Sequence, residues 1–250
     1  MVKFNKLLKK GKTLLLAYDQ GLEHGPIDFN DLNVDPIYII EIAKKGKYNG
    51  IVFQKGIAEK YNSEIKKSKV PLIVKLNGKT SLVKGDPVSR QLCTVKEAIK
   101  LGAVAVGYTI YIGSCHESIM MQEFEQIQRE AHKNGLLVIT WIYPRGKSVR
   151  GKSKAKLMAY AARIGLEIGA DIIKLQYNGN PKDLKWAVES AGKAKVVVAG
   201  GVKRDEKKLL VQVKEIVNAG CAGLAIGRNV WQSKDPLAIT NKMRKVIWKK

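Results

Sequence analysis

Short runs rich in β-branched residues and leucine recur along the chain, at residues 13–19, 50–54, 71–76, 103–108, 136–143, 171–175, 195–199 and 223–227. Near-continuous apolar runs of this length, bounded by Gly, Asn or Pro, predict parallel strands buried on both faces. Helical periodicity fills the gaps. Residues 35–47 open with Asp35-Pro36, a cap followed by proline in the first turn. Residues 117–134 form an amphipathic pattern closed by Gly135. Residues 153–168, 182–191, 205–219 and 229–248 follow, and weaker patterns cover 57–66 and 94–101. Eight strands alternating with helices over 250 residues predict an α/β fold, a single (β/α)8 TIM barrel spanning residues 1–250. An open doubly wound sheet is the alternative, but it rarely needs eight such units in one uninterrupted domain. No linker, low-complexity segment or second domain interrupts the pattern. Residues 1–12 are expected to form a short helix that closes the barrel floor.

Composition changes this picture little. Apolar residues make up 45% and charged residues 27%, ordinary for a globular domain. No apolar run approaches the length of a membrane span. The N-terminus is basic, but the apolar run at 14–17 is too short for a signal peptide and leads into Asp19, so a cytoplasmic protein is expected. Cys93, Cys115 and Cys221 are an odd set without CxxC spacing, which suggests reduced thiols. The net charge of +23 raises the possibility of a nucleic-acid partner. However, the lysines are scattered over nearly every segment, with no arginine-rich tract and no recognisable binding module. A solvated lysine-rich surface is expected, with no nucleic-acid partner. Its field would attract anionic substrates such as sugar phosphates.

The function of a barrel is read at the C-terminal ends of its strands. Gly200-Gly201 follows the seventh strand and Gly227-Arg228-Asn229 the eighth. These are the customary phosphate loops, where glycine lets backbone amides approach an anion. Arg228 either adds a charged donor or lies on the rim. Lys174 stands inside the apolar run of the sixth strand. A buried ammonium is unfavourable unless paired or deprotonated, and a deprotonated lysine at this place is a Schiff-base nucleophile. The alternative is a lysine reaching out to solvent. Lys75 on the third strand is a candidate cation near it. Tyr143 ends the fifth strand, and Trp141, two residues earlier, shares its face. Asp19 ends the first strand, where a carboxylate could orient a hydroxyl or move a proton, or simply cap a helix. His24 in the next loop could bind a phosphate or hydroxyl. The three histidines, His24, His116 and His132, show no HxH or HExxH spacing, so neither a metal nor another cofactor is expected. No GxGxxG follows a strand.

Six motifs together carry a resemblance: Ala17-Tyr18-Asp19-Gln20-Gly21-Leu22-Glu23-His24-Gly25-Pro26, Val52-Phe53-Gln54-Lys55-Gly56, Lys75-Leu76-Asn77-Gly78-Lys79-Thr80, Val106-Gly107-Tyr108-Thr109-Ile110-Tyr111, Trp141-Ile142-Tyr143-Pro144-Arg145-Gly146, and Gly227-Arg228-Asn229-Val230-Trp231-Gln232. From about residue 4 to 248 the chain resembles the archaeal-type class I fructose-1,6-bisphosphate aldolases. The resemblance implies a Schiff-base lysine at Lys174, a proton-donating tyrosine at Tyr143 and an acidic helper at Asp19. It implies that Trp141 lines the site, and that Arg145, His24, Gln20, Gly200, Gly201, Gly227 and Arg228 contact substrate or phosphate. It further implies reversible cleavage of fructose 1,6-bisphosphate in glycolysis or gluconeogenesis without a metal, by a homo-oligomer, octameric or decameric. Some members carry histidine where Gln20 stands, and serine where Ala199 and Ile142 stand. The alternatives are a related Schiff-base aldolase making an aminoheptulosonate precursor of aromatic amino acids, a phosphate-binding barrel isomerase without a Schiff base, and a basic nucleic-acid-binding module that has lost activity.

Overall fold

The computed structural model describes residues 4–249. Eight parallel strands close into a barrel: β1 (Thr13–Ala17), β2 (Gly50–Gln54), β3 (Leu72–Lys75), β4 (Ala105–Ile112), β5 (Leu137–Pro144), β6 (Ile172–Leu175), β7 (Lys195–Ala199) and β8 (Gly223–Ile226). Each strand pairs with its neighbours in sequence, and β8 returns to pair with β1 through Thr13↔Gly223 to Leu16↔Ile226. A helix of the outer layer follows each strand: α1 (Pro36–Lys45), α2 (Asn62–Ser68), α3 (Val95–Lys100), α4 (Glu117–Lys133), α5 (Lys154–Glu167), α6 (Pro181–Ser190), α7 (Glu206–Asn218) and α8 (Pro236–Ile247). The expected TIM barrel is the observed fold.

Local chemistry explains where these helices start. The carboxylates of Asp35, Asp205 and Asp235 accept backbone N–H groups of the first turns of α1, α7 and α8. Thr94 and Glu97 form a reciprocal capping box on α3. Proline occupies the first turn of α1, α6 and α8, where no amide partner is lost. At the other end, the last turns of α1, α2, α3, α4 and α8 carry lysine or arginine, which suits the negative pole of each helix.

Strand residues alternate between two apolar clusters. Leu15, Val52, Ile73, Ala105, Leu137, Ile139, Ile172, Val197 and Ala225 fill the barrel. Residues between them, such as Leu14, Leu16, Phe53, Val74 and Ile173, pack outward against the helices. Leu7 and Leu8 join the inner cluster from below. The helix expected over residues 1–12 is, in its described part, a single 3-10 turn at Phe4–Lys6, followed by a bridge between Lys9 and Lys12. Residues 1–3 lie outside the described residues.

Three other boundaries differ from expectation. The pattern at 57–66 splits into Lys55–Lys60 and α2, with Tyr61 leaving helical geometry between them. The final pattern at 229–248 splits into a one-turn helix, Arg228–Trp231, and α8, which Asp235-Pro236 restarts. Strand β4 also runs past residue 108 to Ile112, because it stays paired with β5 through Ile112↔Pro144. Among the described residues no helix is long and apolar enough to cross a membrane.

Candidate active site

A cavity of about 170 Å³ opens at the C-terminal mouth of the barrel. Every expected site residue lines it: Asp19, Gln20 and His24 after β1, Trp141, Tyr143 and Arg145 on and after β5, Lys174 on β6, Gly200 and Gly201 after β7, and Gly227 and Arg228 after β8. Pairing brings Trp141 level with Lys174, and Tyr143 level with Tyr111 on β4.

Lys174 is 5% exposed, and its Nζ stands 4.8 Å from the centre of the Trp141 ring. It forms no ion pair among the described residues. Burial pulls its pKa below the usual lysine range, and the negative charges of Asp19 and Glu23 only partly offset that. Tyr143 shows the complementary effect. Burial, then Asp19, pushes its phenol well above the ordinary value, so it keeps its proton throughout the neutral range. The site thus pairs an amine biased toward its free-base form with a phenol biased toward its acid form.

The rim is built from ion pairs. Arg145 Nη1 donates to Glu23 Oε1 at 2.6 Å, and its guanidinium lies 5.3 Å from the Tyr111 ring and 5.4 Å from the Tyr143 ring. His24 Nδ1 lies 2.6 Å from Asp28 Oδ2, and Arg228 Nη1 reaches Asp28 Oδ1 at 3.4 Å. The loop carrying His24 and Asp28 is held from beneath. Tyr18, Phe29 and Trp231 pack ring against ring, and Tyr18 OH donates to the Asn33 carbonyl at 2.6 Å.

The loops after β7 and β8 form one unit around Asn229, which is 4% exposed. Its Nδ2 donates to the carbonyls of Gly200 at 2.9 Å and Val202 at 3.0 Å, and its Oδ1 accepts the Arg204 N–H at 2.8 Å. A Cβ on Gly227 would lie 2.5 Å from the Ala17 carbonyl oxygen, so only glycine allows the chain to turn so close to β1. Gly227 then caps the one-turn helix at Arg228–Trp231. This is the arrangement a phosphate cradle needs.

Sequence reasoning passed over several lining residues. Glu23 positions Arg145, and Tyr111 stacks on it. Both stand in the quoted motifs, but ending β4 at 108 placed Tyr111 outside the strand. Lys79, Ser89 and Thr109 line the β3–β4 side, together with Lys75, the cation expected near Lys174. Asn77 secures that side. Its Oδ1 accepts the Thr109 N–H at 2.8 Å, and its Nδ2 donates to the Ser89 and Thr109 carbonyls at 2.8 and 2.9 Å. His132 lies far from the mouth, bonded to Asp171 and Gln128. Among the described residues no three His, Cys, Asp or Glu side chains are grouped as a metal site would require.

Comparisons with known proteins identify the family. The model of the DeoC/LacD family aldolases matches residues 13–233. The class 1 fructose-bisphosphate aldolase of Thermoproteus tenax is 48% identical, over 96% of this chain and 91% of that protein. A protein of Methanocaldococcus jannaschii described as fructose-bisphosphate aldolase/6-deoxy-5-ketofructose 1-phosphate synthase is 40% identical, over 96% of this chain and 81% of that one. Among solved structures, an archaeal fructose-1,6-bisphosphate aldolase whose catalytic lysine is covalently bound to the carbinolamine intermediate of its substrate superposes with a TM-score of 0.92. That structure is 46% identical and covers 98% of this chain and 97% of its own. The chain belongs to the DeoC/LacD aldolase family, among its class I fructose-bisphosphate aldolases.

Proposed function

We propose that the chain cleaves fructose 1,6-bisphosphate reversibly to dihydroxyacetone phosphate and glyceraldehyde 3-phosphate, through a Schiff base on Lys174. One observation carries the reading. A buried lysine, its pKa lowered by burial, shares a cavity with a high-pKa tyrosine and a carboxylate, beside a glycine-built cradle.

The free amine of Lys174 adds to the ketone at C2. The carbinolamine loses water to an iminium, which acts as an electron sink. Asp19 takes or relays the proton of the C4 hydroxyl, the C3–C4 bond breaks, and its electrons form an enamine. Glyceraldehyde 3-phosphate leaves. The Tyr143 hydroxyl then gives its proton to C3, and water releases dihydroxyacetone phosphate and restores the amine. Trp141 packs beside the amine and excludes water from it. Gly200, Gly201, Gly227 and Arg228 hold one phosphate, and Arg145, His24 and Gln20 contact the rest of the substrate. The lysine supplies the electron sink, so the scheme needs no metal or other cofactor. The same reading places the chain in glycolysis or gluconeogenesis in the cytoplasm, as a homo-oligomer.

The test is mass spectrometry after borohydride reduction with dihydroxyacetone phosphate, with and without chelator. The expected result is an adduct on the Lys174 peptide in both cases, absent in Lys174→Met. A Lys174→Met protein still labelled at that peptide would sink the assignment. The two-activity description of the Methanocaldococcus relative favours one second reading, an aldolase that makes 6-deoxy-5-ketofructose 1-phosphate. Adducts alone do not separate these. Turnover of fructose 1,6-bisphosphate at the rate of the alternative condensation, or faster, supports the bisphosphate as substrate.

A further inference from the structure

The chain enters every strand of the barrel from a turn that contains a left-handed residue. Before β4 to β8 that residue is glycine, at Gly102, Gly135, Gly169, Gly192 and Gly220, with φ between 56° and 92°. Before β2 and β3 it is lysine, Lys47 at φ 53° and Lys69 at φ 59°. Before β1, Lys10 at φ 53° shares the turn with Gly11. The left-handed region crowds a Cβ, and glycine enters it without that strain. Lys10, Lys47 and Lys69 are the only non-glycine residues of positive φ among the described residues, and all three are exposed. One side of the barrel therefore places a cation where the other side places glycine.

These turns lie at the N-terminal ends of the strands, on the barrel floor, opposite the catalytic mouth. β8, β1, β2, β3 and β4 are neighbours in the sheet, so the basic turns fall together. Contacts join them into one surface. The Lys9 carbonyl accepts Trp248 Nε1–H at 3.1 Å, the Lys47 carbonyl accepts Arg244 Nη1–H at 2.6 Å, and Gly102 faces the Lys66 side chain. Residues 6–12, 44–47, 66–69 and 244–249 on this side contain lysine or arginine and no carboxylate. Glu41 is shared between Lys44 at 3.7 Å and Lys45 at 3.4 Å. A field of one sign at this density calls for an anionic counterpart outside the chain. A second copy of the chain would bring the same charge to the same place.

We propose that this side of the barrel floor binds the phosphate backbone of duplex nucleic acid without reading its sequence. A duplex carries one charge per about 1.7 Å of its axis, and lysines that neutralise its phosphates release condensed counterions. The ends of α8, α1, α2 and α3, spaced by about 10 Å, give the patch a span of roughly 30 Å, close to one helical turn of DNA. Lysine offers point charges instead of the fork that recognises guanine. Arg244 is committed to the Lys47 carbonyl and to the Trp248 ring, 4.8 Å away. Single strands are held by stacking on aromatic side chains, and membranes by apolar side chains that insert. The four basic segments expose no large apolar side chain. Charge alone is on offer, and a duplex is the densest rigid array of phosphates. Glycine would fit the three left-handed positions with less strain, but it would bring no charge.

The test is fluorescence anisotropy of a labelled, mixed-sequence duplex DNA of about 20 base pairs, titrated with the full chain at salt concentrations from about 50 to 200 mM. The expected slope of log K against log salt is about −5, the release from about six phosphates, with affinity falling roughly 10³-fold over that range. Lys10→Gly, Lys47→Gly and Lys69→Gly combined should weaken binding at low salt at least about tenfold and flatten the slope by about 3, with thermal stability kept or raised. A second floor set, Lys44→Gln, Lys45→Gln and Lys66→Gln, should act in the same direction. Lys154→Gln, Lys182→Gln and Lys207→Gln remove as much charge from the mouth-side ends of α5, α6 and α7, and should leave affinity and slope near wild type. Equal losses in the floor and mouth-side variants would show that net charge alone draws the duplex, and would overturn the proposal. Wild type that binds no duplex at low salt would overturn it as well. So would tighter binding to a single strand of the same length, or to vesicles of phosphatidylserine and phosphatidylcholine.

Discussion

Replacing Asn229 with alanine should disconnect the phosphate cradle from its support. The side chain is almost fully buried and makes three hydrogen bonds, to the Gly200 and Val202 carbonyls and from the Arg204 amide, at 2.8 to 3.0 Å. Each such bond contributes on the order of 1 kcal/mol net. Gly200 is buried and its carbonyl would be left without this donor, whereas Val202 and Arg204 are exposed and water replaces part of the loss. A destabilisation of about 2 kcal/mol follows, measurable as a lower urea midpoint at unchanged slope. The functional consequence is more specific. If the Gly200–Gly201 loop holds a phosphate, its disorder should raise KM for fructose 1,6-bisphosphate by about tenfold while kcat falls less than threefold, the pattern of lost uniform binding. Trapping of unphosphorylated dihydroxyacetone should be unchanged. A folded variant with the expected stability loss and a wild-type KM would show that this loop is only a structural turn.

Other consequences can be measured alongside. Tyr143→Phe keeps the ring against Arg145 but removes the proton, so kcat should fall by about 10²-fold or more with little change in KM; a change in KM alone would make Tyr143 a binding residue. Lys75→Met should be more stable than wild type at pH 7. The folded pKa of about 8 lies below the unfolded 10.5, so the native state binds fewer protons and wild-type stability rises across that window by up to about 3 kcal/mol. Guanidinium melts should show the variant's advantage shrinking from pH 8 to 10.5, and a pH-independent gap would contradict this. Lys69 follows α2 in the left-handed region, at φ 59 and ψ 12; Lys69→Gly should raise stability by about 0.5–1 kcal/mol, and a lower melting temperature would count against it.

The barrel was legible because burial on both faces leaves a simple mark, eight short apolar runs separated by turn residues. The mouth was legible for a related reason. Lys174, Tyr143 and Asp19 are polar groups at places where a two-sided buried strand should carry none, so their position pointed to chemistry. What escaped was set by contacts between distant segments. β4 reaches Ile112 because β5 is there to pair with, which turns Tyr111 into a lining residue beside Arg145. Tyr61 breaks the helical stretch after β2, although the periodicity runs through it. The lysines that look scattered in sequence gather in the fold, since helix ends far apart along the chain, at Lys44, Lys66, Lys100 and Lys245, finish on the floor side of the barrel. No local pattern reports such a convergence.

Unsatisfied polar atoms show the same division between stability and function. Five buried side-chain polar atoms among the described residues make no hydrogen bond, and three of them, Gln20 Nε2, Ser89 Oγ and Trp141 Nε1, belong to residues lining the cavity. An unpaired buried polar group costs about 1–3 kcal/mol, and each buried lysine adds the penalty of holding an ammonium away from water. These penalties concentrate at one end of a barrel whose inner and outer clusters are otherwise apolar. The apolar body can therefore keep the mouth in an arrangement that is unfavourable on its own. A polyhydroxy bisphosphate brings hydroxyls and anionic oxygens, the partners these atoms lack. Mutations that remove a buried charge from the mouth, such as a methionine for Lys75, should accordingly stabilise the protein. Losses of activity in the helical layer should instead track losses of stability.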